Sequence, residues 1–206
     1  MKKTKIAIQG ELGAYSHIAA NNLFKDAEIK TCATFEETFK KAYEDESYKI
    51  IIPIENSLAG RVADIHYLLP KYKLQIHGEY FLNVEHNLLC KPDAEINDIK
   101  FVRSHAQAIG QCQKIIHKNK FQPIISADTA GSAKELAEGN DKSIAAIASD
   151  LSAKIYKLKI LEKNIEDEKG NVTRFLIMGK NIEQPVFSNE KKFITSCIFR
   201  VKSEPS

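Results

Sequence analysis

A threonine and an arginine stand side by side in this sequence, where a turn meets an apolar run. The turn covers residues 168–171, and Thr173 and Arg174 precede the run that starts at Phe175. Arginine offers a permanent positive charge and a planar fork that suits a carboxylate, whereas the threonine hydroxyl is a neutral donor. Rigid scaffolds often present chemistry where a loop enters a sheet. An ordinary strand threonine beside a solvated arginine would show the same pattern.

A second group of polar residues follows a short, wholly apolar run at 50–54. Glu55, Asn56 and Ser57 come directly after that run. Such a run is typical of a strand buried on both faces, and open α/β sheets bind ligands at the carboxyl ends of parallel strands. Ser57 fits equally well as the N-cap of a helix predicted to run through Val62. Both interpretations of Ser57 remain open at this point.

Two further turns place polar residues between a predicted strand and a predicted helix. The first holds Ser104, His105 and Gln107, and the second holds Asp128 and Thr129. His105 has the chemical type of a general base. No acidic residue lies nearby in the sequence to orient it, so a capping role fits equally well. Ser104 and Thr129 are candidate contacts with the same ambiguity, because hydroxyls are common helix caps.

The elements that must position these residues alternate between strands and helices. A strand at 5–9 leads through a glycine-containing turn at 10–16 into a helix, and such a turn can hold an anion on its backbone N–H groups. Thr34 is predicted to cap the next helix. A long alternating strand is predicted over 80–88, with His86 interpreted as a hydrogen-bonded sheet histidine rather than a ligand. Strands that alternate with helices predict an α/β fold.

Composition and charge exclude several classes of protein. The 206 residues are 43% hydrophobic and 28% charged, which is ordinary for a soluble globular protein. The net charge of +3 is not gathered into a basic stripe, so nothing favours nucleic-acid binding. The apolar run at 6–8 is too short for a signal peptide, and the run at 50–54 is too short to span a membrane. We therefore expect a cytoplasmic protein that does not enter a membrane.

The cysteines give no sign of a metal site. Cys32, Cys90, Cys112 and Cys197 lie far apart and form no CxxC pair. This spacing excludes the usual zinc patterns. We expect reduced thiols and no structural metal.

Several stretches, in one order along the chain, resemble the signature motifs of the catalytic domain of prephenate dehydratases. They are Gly10–Ser16, Pro53–Ser57 with Gly60, Ser104–Gln107, Asp128–Ala130, Ala146–Ser149, Asn164–Asp167 and Asn171–Phe175. One short motif would be a weak signal, whereas an ordered series over about residues 5–180 is specific. The sequence departs from the family pattern at Ala14, Ala106 and Lys157, where threonine, proline and glycine are usual. None of these three is a candidate site residue.

The resemblance implies that the chain converts prephenate to phenylpyruvate, water and carbon dioxide without a cofactor. Thr173 would donate a proton or hydrogen bond to the departing hydroxyl, and Arg174 would hold a carboxylate or fix the loop. Asn56 and Gln107 would orient the substrate. Further substrate contacts are expected from Ser16, Glu55, Ser57, Ser104, His105, Thr129 and Phe175. Two alternatives stay open: arogenate as the substrate, or a binding module of the same fold without catalysis.

The resemblance also implies two α/β lobes around a cleft, similar to type II periplasmic binding proteins. Lobe one is expected to comprise residues 1–78 and 168–182, and lobe two residues 79–167. Residues 183–206 are expected to be a linker and the first strand of a ferredoxin-like ACT domain. L-Phenylalanine would be a feedback effector only if that domain were complete. We expect a homo-oligomer, either a dimer or a tetramer.

Overall fold

The computed structural model describes residues 3–180 and Asn189, and its strands fall into two sheets. The strands in chain order are β1 (Lys5–Gln9), β2 (Glu28–Cys32), β3 (Tyr48–Asn56), β4 (Gly60–Arg61), β5 (Gln75–Asn83), β6 (Asn87–Cys90), β7 (Phe101–His105), β8 (Gln122–Ser126), β9 (Ile144–Ala148), β10 (Lys159–Glu162) and β11 (Val172–Gly179). The α-helices are α1 (Tyr15–Leu23), α2 (Phe35–Glu44), α3 (Ala63–Tyr72), α4 (Ala106–Gly110), α5 (Gln113–Asn119), α6 (Thr129–Glu138) and α7 (Asp150–Tyr156). A short 3-10 helix covers Ile96–Asp98.

Each sheet forms the centre of one lobe. The first has the order β2-β1-β3-β11-β5, with β4 beside β3, and the second has the order β10-β6-β9-β7-β8. Strands β1, β2 and β3 run parallel, whereas β11 is antiparallel to both of its neighbours. The predicted two-lobed α/β architecture is confirmed, and each sheet is mixed rather than wholly parallel.

The centre of the first sheet, at β3 and β11, is buried on both faces because helices cover each side. Ile51 and Phe175 pack toward α1, whereas Ile50, Ile52 and Leu176 pack toward α2 and α3. Successive strand residues point to opposite faces, so a sheet covered twice requires apolar side chains at every position. This is why the run at 50–54 shows no alternation. Its prediction as a buried strand is confirmed.

The strand predicted over 80–88 is wrong as a single element. Strand β5 ends at Asn83 in the first sheet and β6 starts at Asn87 in the second, so residues 84–86 cross between the lobes. The crossing therefore lies after Asn83 rather than near residue 78. Val84 and His86 are buried at the junction. The alternating pattern therefore continues through the change of sheet and cannot reveal it.

Local capping explains where several helices begin. The Thr34 hydroxyl accepts from Glu37 N, so the predicted cap is present. The Glu37 carboxylate in turn accepts from Ala33 N. The prediction that Ser57 caps a helix is wrong, since α3 begins only at Ala63. Instead, Gly60, with φ of +79°, begins the short strand β4, which pairs with β3.

Three other sets of expectations can be compared with the structure. The helix predicted after the turn that holds Gln107 is interrupted at Cys112, which separates α4 from α5. No helix in residues 3–180 is long and apolar enough to cross a membrane, and no cluster of three potential metal ligands occurs there. Apart from Asn189, residues 183–206, which were predicted to be a linker and the first strand of an ACT domain, lie outside the described residues, and so does Cys197.

Candidate active site

A cavity of about 470 Å³ lies between the two lobes. Strands β3 and β11 and helix α1 form its wall on the first lobe, and the starts of α4 and α6 form the wall on the second. Seven of the predicted site residues line it: Ser16, Asn56, His105, Gln107, Thr129, Thr173 and Phe175. The structure therefore brings residues that lie up to 159 positions apart in the sequence (175 − 16) to one space.

Arg174 does not line this cavity. It follows Thr173 in β11 and therefore points to the opposite face of the sheet. Its Nε donates to Glu79 Oε2 over 2.7 Å and its Nη1 donates to Glu55 Oε1 over 3.2 Å. The hydrogen bond to Glu79 raises the pKa of Arg174 above its usual value. Of its two predicted roles the geometry supports only fixing the strands, and Glu55 is likewise a partner of Arg174 outside the cavity.

Ser57 and Ser104 also lie outside the cavity lining, and both hold the backbone. The Ser57 hydroxyl donates to Gly170 O over 2.8 Å and accepts from Val172 N over 2.9 Å. It thereby fixes the turn that leads into β11. Ser104 is fully buried and donates to Ile147 O over 2.7 Å, which ties β7 to β9.

The side chain of Asn56 has only one possible orientation. Its Oδ1 accepts from the backbone N–H of Leu58 and of Ala59, over 3.0 and 2.9 Å. Backbone N–H groups can only donate, so the amide oxygen must face them. The Asn56 Nδ2 group then donates to Asn171 Oδ1 over 2.6 Å and to Thr173 Oγ1 over 2.9 Å.

This fixed orientation determines the direction of every hydrogen bond further along a chain of polar side chains. Since Asn171 Oδ1 is an acceptor, its Nδ2 donates to Gln111 Oε1, over 2.9 Å. Gln111 Oε1 also lies 2.9 Å from His86 Nε2, which must therefore carry a hydrogen. In neutral His86 the unprotonated Nδ1 is then an acceptor 2.8 Å from the Tyr15 hydroxyl, whose single proton is shared with Glu85 O, also at 2.8 Å.

Burial keeps His86 and Tyr15, which form one end of this chain of hydrogen bonds, in the protonation states that the geometry requires. His86 is 3% exposed, and burial lowers its pKa, which favours the neutral ring. Burial raises the pKa of Tyr15 well above its usual value, so its hydroxyl keeps the proton. At the other end, Thr173 Oγ1 accepts from Asn56. Among residues 3–180 no acceptor takes the Thr173 hydroxyl proton, which is free to bond to a molecule in the cavity.

A second region of the cavity is suited to a carboxylate. Helix α1 starts after Ala14, which has no side chain that could cap the helix. In the described part of the chain, the N–H groups of Tyr15 and Ser16 have no hydrogen-bond acceptor. Both residues line the cavity. Uncapped N–H groups and the helix dipole together favour a bound anion.

The family-model comparison decides the family. Residues 6–183 match the model of the prephenate dehydratase family. This chain belongs to that family. A bifunctional N-acyl-homoserine lactone acylase/prephenate dehydratase from Komagataeibacter europaeus is 37% identical over 97% of the chain and 71% of its own length.

Two further relatives extend the comparison. Arogenate dehydratase/prephenate dehydratase 2 from Arabidopsis thaliana is 36% identical over 98% of the chain. The chain covers only 53% of that relative. The solved prephenate dehydratase from Arthrobacter aurescens, in complex with L-Phe, has a TM-score of 0.81 and 25% identity, with 89% of this chain and 63% of that chain covered.

Among the cavity residues of this prephenate dehydratase family member that sequence reasoning missed are Tyr15, His86, Gln111 and Asn171. All four belong to the hydrogen-bonded chain described above. The sequence signal that could have found such residues is a polar side chain at a position predicted to face inward. His86 is one example. The expectation that His86 is hydrogen-bonded rather than a ligand is consistent with its two ring contacts. Its place is the crossover rather than a sheet.

The loop before α1 is docked onto the second lobe. Gly13, with φ of +96°, approaches so closely that an added Cβ would lie 2.8 Å from Ser152 Cα. Three further contacts join the lobes here: Ser149 Oγ to Gly13 O at 2.6 Å, Tyr156 Oη to Leu12 O at 2.9 Å, and Lys134 Nζ to Glu11 Oε1 at 3.0 Å. The second lobe thus positions the anion-binding end of α1.

Proposed function

We propose that this chain catalyses the decarboxylative dehydration of prephenate to phenylpyruvate, water and carbon dioxide. The observation that carries the proposal is the orientation of Thr173. Its oxygen accepts from Asn56, so its proton is directed to a cavity of about 470 Å³. A hydroxyl fixed in this way is a donor prepared for a leaving group.

The reaction needs one proton at one oxygen. When the ring carboxylate of prephenate leaves as carbon dioxide, the C–C bonding pair enters the ring, and the ring becomes aromatic as the C–O bond breaks. Thr173 donates its proton to that departing oxygen, which leaves as water, and Thr173 Oγ1 then takes a proton back from solvent. As negative charge grows on Thr173 Oγ1, the Asn56 amide already donates to it over 2.9 Å. Positioned proton transfer of this kind contributes about 10²–10⁴-fold in rate.

The remaining cavity residues would hold the substrate without retaining the carboxylate that must leave. The α1 N-terminus, with Ser16, would bind the side-chain carboxylate. The neutral amide of Gln107 and the hydroxyl of Thr129 would contact the ring substituents. His105 accepts from Gln107 N over 3.3 Å as the N-cap of α4, so we assign it a capping role rather than that of a general base. Gln107 and Thr129 are uncharged, which suits the release of carbon dioxide from the ring carboxylate.

Arogenate is the second candidate substrate. It differs from prephenate by an amino group in place of the keto group. The Arabidopsis relative that carries both substrates in its name supports testing it. A binding module without catalysis is the third candidate.

One experiment separates these candidates. The purified chain is incubated with prephenate and with arogenate in parallel, and phenylpyruvate and phenylalanine are quantified. Phenylpyruvate as the faster product supports the proposal, and phenylalanine as the faster product assigns arogenate. Binding of either substrate without turnover would leave only the binding module.

We also propose a cytoplasmic homo-oligomer in which residues 183–206 begin an ACT domain. The ACT part of this proposal has support from the solved relative of which the chain covers 63%, since that relative extends beyond the matched region and was solved with L-Phe. Light scattering would test the oligomeric state. Activity measured with and without L-phenylalanine would show whether this chain alone responds to it.

A further inference from the structure

His86 is buried at the crossover between the lobes, yet the reaction above gives it no chemical step. Its backbone is held on both sides, because its N–H donates to Glu166 Oε2 over 2.9 Å and its carbonyl accepts from Ile165 N over 2.9 Å. Its ring lies between Tyr15 and Gln111. The ring position is therefore fixed, and only the direction of its hydrogen bonds could vary.

We propose that His86 is a positioning residue for Thr173. Its Nε2–H holds the Gln111 amide oxygen in place. That oxygen orients Asn171, and Asn171 in turn shares the Asn56 amide with Thr173. The proposal rests on the proposed function, because the Thr173 hydroxyl is the group that these hydrogen-bonded side chains orient.

Reversing any amide in this chain would put two donors or two acceptors together. If Gln111 flipped, its NH₂ group would face the NH₂ group of Asn171. If Asn171 then flipped as well, its NH₂ group would face that of Asn56. Asn56 cannot flip, because Leu58 N and Ala59 N both require its oxygen. A buried donor without an acceptor costs about 1–3 kcal/mol, so the polarity set at Asn56 requires the hydrogen on His86 Nε2. That hydrogen in turn holds the position of the Gln111 and Asn171 amides, and Asn171 shares the Asn56 NH₂ group with Thr173.

Two substitutions of His86 test this link because each keeps one ring contact. His86→Gln places an amide N–H near the former Nε2 position and keeps the donor to Gln111. His86→Asn places its amide near the former Nδ1 position and keeps only the Tyr15 contact. We expect kcat to be at least about tenfold lower in the Asn variant than in the Gln variant, with KM within about twofold in both, since small misalignments act on turnover. His117→Asn, on the exposed surface of α5, is the matched control.

A double-mutant cycle distinguishes positioning of Thr173 from a separate role. In a Thr173→Ala background, His86→Asn should lower kcat no further, because no hydroxyl remains to be aimed. Equal kcat in the two His86 variants, a full additional loss in that background, or a rise in KM without loss of kcat would each overturn the proposal. If the unmodified chain forms no product, the proposed function fails instead.

A second pair covers the case in which His86→Asn does not fold, as judged by thermal unfolding. Gln111→Glu keeps an acceptor for both neighbours, whereas Gln111→Met has the same length and no acceptor. The same order is expected, with the Met variant lower in kcat and the difference abolished by Thr173→Ala. Equal turnover in this pair would also overturn the proposal.

Discussion

Asn56 and Thr173 are directly paired on neighbouring strands, and Asn56 Nδ2 donates to Thr173 Oγ1 over 2.9 Å. The pairing brings a side chain that the backbone holds rigidly against the hydroxyl that faces the cavity. Strand register sets this contact, so it does not depend on a flexible loop. The effects of changing either side chain follow from it.

Removing the Thr173 hydroxyl should remove turnover rather than binding. We expect Thr173→Ala to lower kcat by about 10²–10⁴-fold, with KM within about twofold, because a donor used in the transition state is lost. Thr173→Ser keeps the hydroxyl and should retain more activity than the alanine variant. Steady-state formation of phenylpyruvate measures both. Near-normal turnover in Thr173→Ala would contradict the assignment.

Changing Asn56 to aspartate keeps the shape and removes the donor. The introduced carboxylate would still accept from Leu58 N and Ala59 N, but it would turn an acceptor oxygen toward Thr173 and Asn171. The Thr173 proton would then be drawn to that carboxylate, so we expect kcat to fall by at least about 10²-fold. Asn140→Asp, on an exposed turn, controls for added charge. A loss of less than about threefold would show that Asn56 does not hold the donor.

A methyl group at Gly13 should disturb the contact between the lobes. Gly13 and Gly170 both have positive φ, +96° and +84°, but an added Cβ would meet Ser152 only at Gly13, since nothing lies within 4 Å at Gly170. Both alanine variants should lose about 1–2 kcal/mol from strain at positive φ, and Gly13→Ala should lose about 1–3 kcal/mol more from the clash. Urea unfolding measures the difference. Equal losses would mean that the loop docks differently.

Arg174 should act on stability rather than on substrate binding. It pairs with Glu79 and Glu55 outside the cavity, and its side chain is 28% exposed. We expect Arg174→Lys to lose the forked contact to both carboxylates and Glu79→Gln to weaken it, so both should lower the unfolding midpoint with KM nearly unchanged. The effects should be less than additive in the double variant. A large rise in KM in Arg174→Lys alone would instead support the prediction from the sequence that Arg174 contacts a substrate carboxylate.

Stability should fall in mild acid partly because of His86. Burial lowers the pKa of His86 from its ordinary value of 6.5, so between the two values the unfolded chain binds the extra proton. The free energy of unfolding therefore decreases as the pH falls below about 6.5, and the loss continues until the folded pKa is reached. His17, whose pKa is lowered in the same way, adds to this slope. Unfolding midpoints of His86→Gln should decline less between about pH 8 and pH 5 than those of the unmodified chain. Parallel declines would contradict this contribution.

The sequence was sufficient for the local elements and for seven of the cavity residues. The apolar run at 50–54, the cap at Thr34 and the polar ends of strands are local features, and local chemistry decides them. Sequence reasoning was less successful where two elements had to be compared. It assigned Arg174 and Thr173 to the same site, although residues adjacent in a strand point to opposite faces. It also treated 80–88 as one strand, because burial at the lobe junction continues the same pattern.

By itself, the sequence determined the two-lobed α/β class, the family and the hydroxyl at Thr173. These depend on residue types and on their order along the chain. Only the tertiary structure decided which way the Thr173 proton points. That direction follows from the Leu58 and Ala59 amides and is passed through Asn56 to Asn171, Gln111 and His86, across four separate parts of the chain. Hydrogen-bond polarity depends on which groups meet in space, and no spacing within one segment contains that information.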